Sequence, residues 1–293
     1  MTTTAEDVFT EHRALLFTVA YEMLGSAADA DDVVQDSWLR WAEVDHAAVR
    51  DPRAYLVRVV TRQALNRLRT LRRRREQYVG PWLPEPVATT PDVAEDVELA
   101  DSVSFAMLVV LETLTPLERA VFVLREVFGF SYDEIAAATD RSADAVRQVA
   151  SRARRHVEAR RPRASDGGDH DEVSARFLAA VTTGDVQGLM DVLAPDVVLL
   201  TDGGGIKKAA LRPIEGADKV TRFLTALVGA ETGTIEAEIL DVNGSSGALG
   251  LLAGELDVAI SLRTEGGRVA EIYVVRNPEK LDRILRPTRL TRT

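Results

Sequence analysis

The chain is 293 residues long, enough for two or three domains with separate cores, and it contains no cysteine, which excludes disulfides and thiolate metal sites. Its four scattered histidines offer no metal-ligand spacing, so no metal is expected, and no cofactor is assigned. The net charge of −10 argues against a uniformly basic nucleic-acid binder, but the charge is uneven: ten arginines stand against one aspartate from Arg50 to Arg75, eight against two acids from Arg141 to Arg163, and the acidic run PDVAEDVELAD lies between them.

The N-terminus MTTTAEDVF has neither a basic nor an apolar targeting segment, and no run approaches the roughly 20 apolar residues of a membrane span. A cytoplasmic protein without a membrane partner is expected. Residues 5 to 75 predict helices. Leu15, Leu16, Val19, Ala20, Met23 and Leu24 recur at helical spacing until GSAADADD breaks the pattern and supplies N-caps. In DDVVQDSWLRWAEV, Val34, Trp38 and Trp41 share an apolar face, whereas Asp32, Gln35, Asp36 and Arg40 share a polar one. Those acids would repel phosphate; they suit a basic protein surface, or simply solvate the helix. In DPRAYLVRVVTRQALNRLRTLRRRR, Asp51 is the expected N-cap and Pro52 the first helical residue. Leu56, Val60, Ala64, Leu68 and Leu71 form its buried stripe, roughly opposite Arg58, Arg62, Asn66, Arg69 and Arg73. That basic face suits a nucleic-acid backbone, and the preceding loop EVDHAAVRDPRA suits an extruded base.

The next stretch, GPWLPEPVATTP, spans residues 80 to 91. Proline favours an extended connector, but Trp82 and Leu83, followed by Pro84, are bulky for a spacer. They predict an anchor that docks in an apolar groove near Asp202 to Gly205 of the C-terminal part; the alternative is that Trp82 packs back on the first helical unit. Residues 98 to 160 predict a second helical unit. LTPLERAVFVLREVFGF opens with a Thr115–Glu118 capping box, SYDEIAAAT with another from Ser131 to Glu134, and TDRS turns into ADAVRQVASRARRHVEARR. A short helix, a tight turn and a basic helix make a helix-turn-helix pattern. Val146, Val149, Ala150 and Ala153 face inward. Outward, Arg147 and Gln148 are best placed to read bases, with Ser142 and Ser151 beside them and Arg154 and Arg155 available to phosphates. A protein-docking helical pair is the alternative.

RPRASDGGDHDE, residues 161 to 172, reads as a connector, after which arginine declines and Gly and Val rise. The chain thus divides into a first helical unit (1–77), a linker (78–100), a second helical unit (101–162), a connector (163–172) and a C-terminal domain (173–293). The last combines helices SARFLAAVTTGDVQGLMDVL and ADKVTRFLTALVGA with strands VVLLTD, TIEAEIL, GALGLLAGELDVAISL and VAEIYVV, an α+β fold with a curved antiparallel sheet. It has no histidine, leaving Asp196, Asp202 and Asp257 as acid-base candidates. Asp202, Gly203, Gly204 and Gly205 read better as a turn, with Asp202 capping backbone N–H groups. Regulation through protein contacts is favoured over small-ligand sensing and over catalysis, and no catalytic residues are assigned.

The order of these segments, from DADDVVQDSWLRWA and RAYLVRVVTRQALNRLR through the acidic linker to LTPLERAVFVLREVFGFSYDEIAAATDRSADAVRQVASRARR, resembles the extracytoplasmic-function sigma factors of the sigma-70 family. The resemblance covers residues 5 to about 160. It implies core RNA polymerase and promoter DNA as partners. Asp32, Gln35 and Asp36 would dock on the polymerase; Arg53, Arg58, Arg62, Asn66 and Arg69 would engage the minus-10 element; Ser142, Arg147, Gln148, Ser151, Arg154 and Arg155 would sit at the minus-35 element. The C-terminal part resembles the SnoaL-like branch of the NTF2-like cone fold. Together with WLPEP, DGGG and NPEKL it resembles the subgroup of these sigma factors that carry a fused regulatory domain, which implies no separate anti-sigma factor. By that resemblance Trp82, Leu83, Pro84, Asp202, Gly203, Gly204, Gly205, Lys207, Asn277, Pro278, Lys280 and Leu281 would form the regulatory contact. Ile206 departs from the subgroup pattern by separating DGGG from Lys207. The terminal NPEKLDRILRPTRLTRT would tune the arrangement, or else fray. The expected architecture is therefore two all-α units followed by an α+β cone. A helix-turn-helix regulator with a ligand-sensing cone, binding duplex DNA without polymerase, is the alternative.

Overall fold

The computed structural model describes residues 4–160, 170–229 and 235–292. Most of the 163–172 connector lies outside the described residues. The first helix, α1 (Ala5–Leu24), starts at a reciprocal capping box between Thr4 and Asp7 and stops at Gly25, whose left-handed φ of 66° lets its N–H reach the Tyr21 carbonyl. Ser26 caps α2 (Ala27–Ala42), which buries Val33, Val34 and Trp41 and exposes Asp32, Gln35 and Asp36. Asp51 Oδ1 accepts the Ala54 N–H at 3.0 Å at the start of α3 (Pro52–Arg75), and Leu56, Val60, Ala64, Leu68 and Leu71 are buried along it.

Short helices α4 (Pro91–Glu95), α5 (Val97–Val103) and α6 (Phe105–Glu112) fill the linker's end and lead to α7 (Pro116–Phe122), begun by the Thr115–Glu118 capping box. LTPLERAVFVLREVFGF is not one regular helix: Val123–Val127 widens to a π turn before Phe128. The helix-turn-helix pair is α8 (Tyr132–Thr139) and α9 (Ala143–Glu158), joined through Asp140 at φ 54° and the N-cap Ser142. α9 buries Val146, Val149, Ala150 and Ala153. One continuous core runs from α1–α3 through α5–α9, containing Leu15, Leu56, Leu108, Val121, Ile135 and Val149, and it also takes in Leu290 near the C-terminus.

The C-terminal domain comprises α10 (His170–Thr183), α11 (Val186–Val192), β1 (Leu193–Asp202), β2 (Ile214–Glu215), α12 (Ala217–Gly229), β3 (Ile235–Val242), β4 (Ser245–Leu252), β5 (Glu255–Glu265) and β6 (Arg268–Val275). α10 starts inside the stretch read as connector because His170 is buried, its ring bonded to Thr264 Oγ1 at 3.0 Å and the Ser246 carbonyl at 3.1 Å. The sheet order is β2-β1-β6-β5-β4-β3. The expected antiparallel sheet needs correction at one place, since β1 and β6 pair in parallel. These two strands are joined by long intervening chain, not a hairpin, so no tight turn dictates their direction. GALGLLAGELDVAISL is two strands split at Ala253–Gly254, both at positive φ, and the two-residue β2 has no alternation from which it could be read.

Strand alternation then separates two faces. Leu199, Ala248, Ile260, Ile272 and Val274 face the domain's own helices. Leu200, Leu249, Ala259, Tyr273 and Val275 face the other way and enclose Leu83, Ala88, Phe105 and Ala106 from the linker and α6. The sheet is thus covered on its second face by the rest of the chain.

Candidate functional site

Residues 78 to 89 run between the helical units and the sheet, with Leu83 to Thr89 all buried. Their anchor is Asp202, 1% exposed at the end of β1. Its Oδ1 accepts the Tyr78 hydroxyl at 2.6 Å and the Gly204 N–H at 3.0 Å; its Oδ2 accepts the Leu83 N–H at 2.9 Å and Lys280 Nζ at 2.7 Å. The turn expected of DGGG is present, with Gly204 at φ 62° and Gly205 at φ 74°. A Cβ on Gly204 would meet the Asn277 side chain, which donates to Tyr78 Oη at 2.8 Å. Asn277 caps the turn Pro278–Lys280, and this turn carries Lys280 to Asp202 and to the Leu83 carbonyl. Burial pulls the Lys280 ammonium down to about 8, opposed by Asp202. Burial and the bond to Asp202 push the Tyr78 hydroxyl up.

Trp82 does not enter a purely apolar groove. Its ring lies under two cations, Arg75 Cζ at 3.6 Å and Lys280 Nζ at 3.9 Å from the ring centroid. One cation belongs to the first helical unit and the other to the C-terminal domain, so both placements considered for Trp82 are combined. Gly25 makes room for it: a Cβ there would stand 3.2 Å from the indole and 2.9 Å from Glu112 Oε1. Leu83 enters the sheet-side core with Leu281, and Pro84 is buried beside it. Replacing Trp82 by alanine is expected to weaken attachment of the linker by about 2 kcal/mol, from lost packing and two cation–π contacts. Amide exchange at Leu83 and Glu85 reads the result, and unchanged protection would count against an anchoring role.

Three further clamps carried no distinguishing sequence signal. The Glu85 N–H donates to the Gly25 carbonyl at 2.9 Å and its carbonyl accepts the Tyr21 hydroxyl at 2.7 Å; its carboxylate takes Ser26 Oγ at 3.0 Å and the Ala28 N–H at 3.1 Å, at the start of α2. Burial pushes that carboxyl up, against the pull of the α2 amides. Asn243, fully buried at φ 54°, accepts the Val87 N–H at 3.1 Å and donates to Tyr21 Oη at 2.7 Å and the Val103 carbonyl at 2.8 Å. Its NG turn marks a hairpin, but its side chain joins all three parts of the chain. Backbone pairing completes the hold: Thr89 N–H reaches Asp241 O at 2.9 Å, Asn243 N–H reaches Val87 O at 2.9 Å, and Thr288 N–H reaches Ala88 O at 2.8 Å. The linker is therefore bridged at Ala88 to the β3 edge and at Thr89 to the C-terminal tail.

The tail is tied, not frayed. Arg283 pairs with Asp31 and donates to the Ala27 carbonyl at 3.1 Å, Thr291 N–H reaches Thr18 Oγ1 at 3.0 Å, and Arg292 pairs with Asp96 and Glu98. Lys207 lies outside the Asp202 cluster. It bonds Asp257 Oδ1 at 2.7 Å, while Arg276 Nε takes Oδ2 at 2.9 Å. Burial opposes the shift, but these bonds hold the Asp257 carboxyl below the usual range, contrary to what acid-base work near neutral pH requires. Asp196 is exposed.

The helical units also meet across α3 and α8. Arg62 Nη2 donates to the Ala137 carbonyl at 3.0 Å and to Asp140 at 2.5 Å, and Arg53 lies 5.0 Å over the Phe130 ring. Arg58 stands 5.2 Å over Tyr55, and Asn66 accepts from Arg69 at 3.1 Å; both of the latter remain exposed. On α9, Arg147, Gln148, Ser151, Arg154 and Arg155 are exposed, with Arg147 paired to Asp144 and Arg154 to Glu126. Ser142 accepts the Ala145 N–H at 3.2 Å as N-cap. Asp32, Gln35 and Asp36 form an exposed stripe, with Arg67 Nη2 3.3 Å from Asp32. Arg67 is held more closely by Asp29, its Nε at 2.6 Å.

Comparison with known proteins finds the sigma-70 region 2 family over residues 8–74 and the sigma-70 region 4 family over residues 104–157. The chain is 39% identical over 284 residues to the ECF RNA polymerase sigma factor SigJ of Mycobacterium tuberculosis, covering 92% of this chain and 90% of that one. The crystal structure of Mycobacterium tuberculosis SigJ superimposes with a TM-score of 0.73 at 36% identity, covering 93% of this chain and 97% of that chain. The ferric citrate uptake sigma factor FecI of Escherichia coli is 29% identical over 160 residues, which is 52% of this chain and 88% of FecI.

Proposed function

Because the chain belongs to the extracytoplasmic-function RNA polymerase sigma factors of the sigma-70 family, we propose that it alternates between the closed form seen here and an open form engaged on polymerase. As a sigma factor it binds core polymerase and directs promoter-specific initiation. The C-terminal domain regulates that activity by holding residues 78–89, and so performs the task of a separate anti-sigma protein. One observation carries this reading: Arg62, on the face proposed for the minus-10 element, is spent on Ala137 and Asp140 at the helix-turn-helix turn.

Two promoter elements lie at different places along the DNA, so reading both requires the units to move apart. Arg53, Arg58, Arg62, Asn66 and Arg69 then serve the minus-10 element, and Ser142, Arg147, Gln148, Ser151, Arg154 and Arg155 the minus-35 element, with phosphate contacts fixing register and a few base contacts giving choice. Asp32, Gln35 and Asp36 dock on the polymerase. In the closed form Trp82, Leu83 and Pro84 are retained by Asp202, the DGGG turn, Asn277, Pro278, Lys280 and Leu281. Separation must also expose part of the continuous helical core, so polymerase surface has to replace those contacts.

The absence of cysteine permits a clean test. Full-length protein labelled at Glu43→Cys and Ala159→Cys, both exposed positions, is expected to show a longer inter-dye distance on adding core polymerase, together with promoter-dependent run-off transcripts. Transcripts without a distance change would refute the closed-form reading. Absence of both core binding and transcripts would refute the assignment of these residues to initiation.

A further inference from the structure

Where α1, α5, α6, α7, the π turn, α9 and the C-terminal tail converge, the protein forms a partly open cavity of about 320 Å³, within the range of small-molecule sites. Met107, Leu111 and Phe122 give it an apolar floor. Its ionisable wall is one-sided, with Glu22, Glu98, Asp101, Glu126 and Glu158 against Arg154 and Arg292. Glu126 is engaged by Arg154 and Glu98 by Arg292.

Glu22 is the unusual member. It is fully buried, its Oε1 accepts Ser102 Oγ at 2.9 Å, and its Oε2 meets no donor among the described residues. A buried carboxyl oxygen left without a partner is costly, and a planar guanidinium supplies the matching donors. The chain already seats one guanidinium on this wall: Arg292 comes from the C-terminal tail, bonds Asp96 and Glu98, and its charge is felt at Glu22.

We propose that this cavity binds a small alkylguanidinium, with its charged end between Glu22 and Glu158 and its aliphatic body over Met107, Leu111 and Phe122. Such a ligand competes with Arg292 for the same wall and so loosens the tail that pairs with the linker through Thr288. That consequence rests on the closed-form reading; the binding does not.

The charged and titratable groups facing Glu22 are Arg119 on α7, Arg292 on the tail and Tyr21 on its own helix, beside the cavity carboxylates and Arg154. Burial pushes the Glu22 carboxyl up to about 8, so it is mainly protonated at neutral pH before a cation arrives. An arriving cation favours the ionised form, and binding should release a proton.

The test is calorimetric titration of the full chain with n-butylguanidinium at neutral pH in two buffers of different ionisation enthalpy, with n-pentanoate as the control of opposite charge. Saturable binding of one n-butylguanidinium per chain with proton release is expected, and no binding of pentanoate. Glu158→Gln, at an exposed position, should weaken binding about tenfold; Glu22→Gln should abolish the proton release; Arg292→Ala should tighten binding about threefold by removing the internal competitor. No saturable binding, or equal affinity in the wild type, Glu22→Gln and Glu158→Gln, would overturn the site. The titration contains no polymerase, so its failure leaves the reading of the chain as a sigma factor untouched.

Discussion

Asp202→Ala is expected to release residues 78–89 from the C-terminal domain while leaving both the helical core and the sheet folded. The substitution removes the acceptor of Tyr78, Leu83 and Gly204 and strands Lys280, which is buried against Trp82 and already has its ammonium drawn down to about 8 by burial. Breaking a buried ion pair from one side costs about 3 kcal/mol or more, because the remaining charge is left uncompensated. An equilibrium between attached and released linker would then shift on the order of 100-fold. Hydrogen exchange reads this directly: the Leu83, Glu85 and Thr89 amides should lose protection, and those inside α1 and β6 should keep it. Adding Lys280→Met to Asp202→Ala should recover part of the loss, since it removes the stranded charge. Unchanged protection at Leu83 in Asp202→Ala would mean that backbone pairing with β3 holds the linker without help from the carboxylate.

Reversing Asp32 and Asp36 to lysine should weaken binding to core polymerase by about 2–4 kcal/mol, roughly 30- to 1,000-fold, because opposed charges at an interface both lose attraction and add repulsion. The stripe is exposed, and Asp32 pairs with Arg67 at 3.3 Å, itself retained by Asp29 at 2.6 Å. Loss of an exposed pair of this kind costs at most about 1 kcal/mol of stability, so the thermal midpoint should hardly move. Binding to free promoter fragments should persist, since α9 is untouched. Equal core binding by wild type and variant in a fluorescence titration would remove Asp32 and Asp36 from the docking face. Together the two variants separate retention of the linker from engagement of the polymerase.

Much of the helical half is legible from local chemistry. Thr115, Glu118, Ser131 and Glu134 announce their capping boxes because cap and partner lie three residues apart. The inward and outward sets of α2, α3 and α9 follow from the helical period, and the alternation of Leu199 with Leu200 or Tyr273 with Val274 follows from the strand period. Trp82 and Leu83 were conspicuous because a spacer has no use for them, and Asp202 because three glycines follow it.

What those residues meet was decided by tertiary structure alone. Trp82 lies under Arg75 and Lys280, Tyr78 reaches Asp202 and Asn277, and Asn243 joins the linker, α1 and α5; apart from Arg75, close to Trp82 in the chain, these partners are far apart in sequence and leave no spacing to read. The parallel pairing of β1 with β6 is likewise invisible, because a strand's pattern records which face is buried and not which neighbour it takes. The sequence determined which elements form and which faces they bury, through interactions a few residues long. Only the fold decided that an arginine suited to DNA would instead rest on the helix-turn-helix turn, because that contact depends on packing two separate units around one core.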